Sequence, residues 1–274
     1  MYREYCATLV EQDYMLAHDL DTATLLEVVP RFTSLREFTF SSYWEFHPKG
    51  AKTPFDGCLL FPGPTPPPRG SREAVAFLEA AAQLAASSPS GSTKLESLTL
   101  GLLSWRFFEQ SDTAFLARAL QTCRDLTAFR ICIDTGMKER ALGNDAWAPP
   151  ADYDPDEDRD EEHHFGTEVA ECSRVMASGM LREFLRCLQH LETLQVSFLY
   201  NSAEFEFPAL LGDVIQPKHR WEFLASLKLE NIACERQELL SVLKRHKDTL
   251  ESLSLHSISL RSTSWLVLLP QIRK

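Results

Sequence analysis

Six segments of the chain share the form Leu-x-x-apolar-x-apolar: Leu35 to Phe40, Leu95 to Leu100, Leu126 to Ile131, Leu191 to Val196, Leu224 to Leu229 and Leu250 to Leu255. Chance would give roughly two such matches in a chain of this length at ordinary leucine and apolar frequencies. The filler positions strengthen the pattern, because they hold small or polar residues throughout, such as Arg36, Glu37 and Thr39 in the first segment and Ala225, Ser226 and Lys228 in the fifth. The apolar-x-apolar tail has the period of two that a strand with one buried face requires. Each match is therefore read as a short strand.

Helical periodicity fills the intervals, over Arg72 to Ala86, Thr113 to Cys123, Glu168 to Leu188 and Glu235 to Lys247. Strand and helix alternate, and the leading leucines recur after 31, 33 and 26 residues where the spacing is regular. The two other gaps, 60 and 65 residues, each hold an insertion. The first insertion, about 47–70, contains Phe61-Pro-Gly-Pro-Thr-Pro-Pro-Pro-Arg-Gly70; the second, about 135–166, is acidic and reads as disordered. Long insertions of this kind sit on loops, where closure entropy grows slowly with length. A strand-plus-helix unit cannot bury its apolar face alone, so such units must stack. The expectation is one α/β domain over 1–274, a leucine-rich-repeat solenoid in which a curved parallel sheet carries helices on its convex side and the repeats are degenerate.

The closing segment, Leu239-Leu-Ser-Val-Leu-Lys-Arg-His-Lys-Asp-Thr-Leu-Glu-Ser-Leu-Ser-Leu-His-Ser-Ile-Ser-Leu260, together with Phe223 to Leu229, resembles the repeat halves of fungal F-box and leucine-rich-repeat proteins. The resemblance is sharpest over the last ~55 residues. It implies substrate recognition for a cullin-type ubiquitin ligase, whose adaptor an F-box would dock. No F-box is legible in the first 35 residues, so an adaptor contact would need one upstream. Ile232 and Ile258 also stand where the family's strand-following Asn or Cys belongs. The alternative is a stand-alone structural or regulatory repeat protein with no ligase role.

Charge narrows the class of partner. The net charge is −11, and the run Asp152 to Glu162 alone contributes eight acids against one Arg. Nucleic acid and anionic membrane are disfavoured, because both need clustered Lys and Arg. A protein partner is expected. No long apolar span or signal-type N-terminus is present, and seven scattered cysteines without a Cys-x-x-Cys pair fit a reducing compartment, cytoplasm or nucleus.

Side chains alternating with the buried strand positions face away from the core, which nominates Arg130, Gln195, Lys228, Glu230 and His256 for partner contact. Aromatic and Arg residues just past the strands add Tyr43, Trp44, Trp105, Arg106, Phe107 and Tyr200, since interface hot spots favour these types. The alternating aspartates Asp152 to Asp160 do not make a calcium loop, because neither register places Gly sixth and Glu twelfth. Pro64 to Arg69 fits the Pro-x-x-Pro-x-Arg form read by polyproline-binding domains, and a plain flexible insertion is the simpler reading. No nucleophile elbow, phosphate-binding Gly-rich loop or His-Glu-x-x-His occurs. The sequence therefore predicts no enzyme, no cofactor and no metal.

Overall fold

The computed structural model describes residues 10–11, 14–15, 17–41, 71–87, 95–111, 113–135, 168–199 and 207–272. Each leucine motif does become a strand, beginning two residues after its leading Leu: β1 (Glu37–Ser41), β2 (Ser97–Ser104), β3 (Ala128–Asp134), β4 (Thr193–Leu199), β5 (Ser226–Glu230) and, after the short β6 (Ala233–Cys234), β7 (Ser252–His256). The leading leucines Leu95, Leu126, Leu191 and Leu224 are themselves buried beneath the strand entrances. A two-residue β8 (Ser259–Leu260) pairs with β6 in a small second sheet.

The six longer strands form one parallel sheet in the order β1-β2-β3-β4-β5-β7. Between them run α1 (Leu20–Val28) before the sheet, α2 (Ser71–Ser87), α3 (Arg106–Gln110), α4 (Thr113–Cys123), a helical segment 168–177 (α5), α6 (Met180–Arg186), α7 (Leu211–Val214) and α8 (Arg236–Arg245), with α9 (Trp265–Ile272) closing the order. Parallel crossovers are right-handed almost without exception. When every crossover also advances the strand order in one direction, all of them fall on the same face of the sheet. Burial agrees with that geometry. The row Leu98, Phe129, Leu194 and Leu227 is at most 1% exposed, and Leu100, Ile131, Val196 and Leu229 form a second buried row. Under the N-terminal edge, Phe38 stacks on Phe77 of α2 with ring centroids 3.5 Å apart.

The sheet is open and not strongly curled, which corrects the expected curved leucine-rich-repeat solenoid to an α/β sheet with crossover helices. Solenoid curvature accumulates from one constant rotation per repeat. Here α2, α4, α6, α7 and α8 have 17, 11, 7, 4 and 10 residues, so no constant wedge separates one unit from the next. The β2–β3 register also shifts between Leu100 and Leu103, where Leu102 takes a left-handed φ of 53°. A bulge of this kind changes the local twist of one strand pair alone. Where the classical repeat would set a hydrogen-bonded Asn ladder, Ile232 and Ile258 are buried as hydrophobes.

The helix expected over Glu168 to Leu188 is broken at Gly179, whose φ of 82° ends one helical segment and begins α6. The inserted segments 47–70 and 135–166 lie outside the described residues except for Thr135, whose hydroxyl donates to the Leu199 carbonyl at 2.6 Å.

Candidate functional site

Parallel pairing in register converts the strand alternation into rows across the sheet face opposite the buried leucines. One row runs Thr39, Thr99, Arg130, Gln195, Lys228 and Ser254, each residue paired with the next on the neighbouring strand. A second runs Cys132, Ser197, Glu230 and His256. Strands spaced by about 4.8 Å place Arg130, Gln195 and Lys228 within roughly 10 Å of one another.

The rows are not uniform. Thr99 and Ser197 are buried, and the Ser197 hydroxyl donates to the Ile131 carbonyl at 3.2 Å. Arg130, Gln195, Lys228, Glu230 and Ser254 are half-buried, and His256 is exposed. The Lys228 ammonium lies 3.6 Å from the Glu230 carboxylate, with the two side chains 40% and 32% exposed. An ion pair that open to water adds little stability, so both groups can exchange one another for an incoming partner at small cost. The half-buried Cys132 thiol is pushed above its ordinary value, chiefly by burial and further by the nearby carboxylates of Glu230 and Asp134, which favours the protonated thiol.

The aromatic and arginine candidates divide differently. Trp105 and Phe107 are 3% and 4% exposed. The Trp105 indole N–H donates to Glu168 at 3.3 Å, Arg106 reaches the same carboxylate at 2.5 Å, and the Arg106 guanidinium lies 4.3 Å from the Trp105 ring centroid. Phe107 packs edge-on against Phe108 and Phe115. Trp105 and Phe107 thus belong to the core, and Arg106 is engaged in tying the end of β2 to the start of α5. Tyr43, Trp44 and Tyr200 lie outside the described residues, as do the acidic run 152–162 and the proline-rich segment.

Sequence reasoning missed Glu168, which satisfies Trp105 and Arg106 across more than sixty positions, and no local signal marks such a partner. It also missed Asn231. Its φ of 57° turns the chain out of β5, and its side-chain amide donates to the Phe198 carbonyl at 2.7 Å. That signal was available, since Asn tolerates the left-handed region better than other non-glycine residues.

A second polar cluster sits under the last units. His246 is fully buried and accepts the Trp221 backbone N–H on Nε2 at 3.1 Å. Nδ1 therefore carries the proton and donates to the Val242 carbonyl at 2.9 Å. Trp221 stacks on His246 and meets His219 edge-on, while its indole N–H donates to the Leu185 carbonyl. Burial lowers the pKa of both His246 and His219. The cluster joins α6, the 215–224 segment and α8, and serves as structure.

Among the described residues no group of three or more His, Cys, Asp or Glu is placed to hold a metal ion, and no helix is long and apolar enough to cross a membrane. No known family model matches the chain, and no curated protein or solved structure matches it. Together with the uncurled sheet, this corrects the resemblance to fungal F-box and leucine-rich-repeat proteins. The ubiquitin-ligase role drawn from that resemblance loses its support with it. The physical reason is that a Leu-x-x-apolar-x-apolar motif encodes a strand entrance with one buried face, which any sequential parallel sheet requires.

Proposed function

We propose that the chain is a protein-binding module that engages its partner through the polar face of the sheet, around Arg130, Gln195, Lys228, Glu230 and His256. The observation that carries this reading is the register itself. Consecutive strands bring one cation, one amide and a second cation into a single row, beside Glu230 and His256 in the next. The buried leucine rows occupy the other face. In a chain of net charge −11, a row bearing Arg130 and Lys228 favours a partner surface rich in carboxylates. The mixed chemistry suits one particular surface better than a repetitive ligand, and no step of catalysis is assigned to it.

The test compares affinity capture from cognate extract by the wild-type chain and by the double variant Arg130→Glu/Lys228→Glu, with Lys244→Glu/Lys247→Glu, in and just beyond α8, as the charge-matched control. The reading predicts loss of specific partners with the first variant and retention with the second. Identical capture by all three proteins, each with an unchanged melting temperature, sinks it.

A further inference from the structure

Among the described residues, the unit formed by β7 and α9 is left uncovered in two independent ways. On the apolar side of the sheet, Leu98, Phe129, Leu194 and Leu227 are at most 1% exposed, but Leu253, next in the same row on β7, is 38% exposed. Among the described residues no strand pairs with the outer edge of β7. The helix α9 repeats the anomaly one layer up. Trp265–Ile272 contains no charged residue, and a helix apolar all round belongs in an interior. Only Leu268 is buried, while Leu266, Val267 and Leu269 are 85%, 47% and 55% exposed. The helix is held to the fold through α8 and through the Trp265 indole N–H, which donates to the Ile258 carbonyl. An unpaired strand edge flanked by exposed leucines is a template for association.

Charge selects the occupant. Residues 252–272 hold no Asp or Glu, although the chain carries 39 in 274 residues. Net negative charge opposes self-association of an acidic chain, and a face without carboxylates is where that repulsion is weakest. We propose that β7 and α9 form a two-fold interface with a second copy of this chain, the two β7 strands pairing antiparallel about Ser254. The sequence Ser252-Leu-Ser-Leu-His256 suits that axis. Leu253 falls opposite the second copy's Leu255, and Ser252 opposite its His256, so leucines stay with leucines on the helix side. A two-fold axis perpendicular to the sheet keeps both helix layers on one face, which brings α9 against its copy and covers Leu266 and Leu269. Closed two-fold pairs are also the commonest homo-oligomers. A five-residue strand and an eight-residue helix present a face of about 17 Å by 20 Å, roughly 340 Å² per copy against about 800 Å² for a standard interface, so a weak, reversible dimer is expected, with association at tens of micromolar or above.

Sedimentation equilibrium of the full chain from about 1 to 200 μM is the test. A reversible shift from 31.1 kDa to twice that mass is expected. Leu266→Lys/Leu269→Lys, at positions already facing solvent, should weaken the dimer at least about 100-fold. Ser254→Cys supplies a second readout, because paired antiparallel Cα atoms lie about 4.5–5.5 Å apart, within disulfide range, and mild oxidation should join two copies through that position. A chain monomeric throughout the concentration range, a dimer indifferent to the lysine pair, a growing head-to-tail polymer, or a dimer in which Ser254→Cys never cross-links would each overturn the proposal.

Discussion

His246 illustrates how a single buried side chain sets a condition on the fold. Its imidazole is neutral in the native state, with Nε2 committed to the Trp221 N–H and the side chain fully buried. Its native pKa is lowered by burial, whereas the unfolded chain takes up a proton near the ordinary value of about 6.5. Below that pH the unfolded state binds more protons than the native one, so stability is fully present above about pH 6.5 and is lost as pH falls toward the native pKa. Unfolding midpoints in urea between pH 7.5 and 5.5 should fall, with a slope of up to about 1.4 kcal/mol per pH unit from this residue. His246→Gln should lower stability at pH 7.5 and flatten that slope; an unchanged slope would remove His246 from the account. The buried thiols respond in the opposite sense. Burial pushes Cys123 and Cys234 up to about 12, and Cys172 rises as well. All three should resist an aromatic disulfide reagent at pH 8 in the native chain and react within seconds to minutes once it is unfolded, as peptide mapping would record.

At the scale of elements, the sequence was most legible where a local rule operated alone. Thr113–Cys123 is helical over the same residues its periodicity marked, and every leucine motif opens a strand. The segment from Glu168 to Leu188 misled because its apolar spacing continues through Ser178 and Gly179, which periodicity ignores and backbone geometry does not. Gly179 adopts a φ of 82°, where a side chain is strained. Gly179→Ala should therefore destabilise the chain by about 1–2 kcal/mol, although alanine is the better helix former. A stabilising effect in thermal unfolding would mean that the two helical segments are really one. Of the elements that periodicity left unread, α3, α7 and the β6–β8 pair are two to five residues long, too short for any period to register, whereas α1 and α9, of nine and eight residues, lack a clear apolar stripe, α9 because it is apolar almost throughout.

For the whole molecule, strand order and polar face were readable but curvature was not. Order follows from alternating strands and helices joined by right-handed crossovers, which leave few arrangements for neighbouring parallel strands. Curvature depends on the rotation between units, and that depends on helix length, on the register shift beside Leu102 and on how Ile232 and Ile258 fill the strand exits. No leucine count contains those quantities. Of the candidate residues, Arg130, Gln195, Lys228, Glu230 and His256 fall into two rows of the register because strand alternation sets which way a position faces. Trp105 and Phe107 were nominated by residue type, and burial decides against their display.

The central claim is that the polar face of the open sheet, and not its helical side, meets the partner. Lysine acetylation footprinting of the free chain and of the chain bound to its captured partner tests this most directly. Lys228 lies on the polar face, whereas Lys244 and Lys247 lie in and just beyond α8 on the helical side. The account predicts that the partner slows acetylation of Lys228 while Lys244 and Lys247 react as before. Protection of Lys244 and Lys247 with Lys228 unchanged would contradict it.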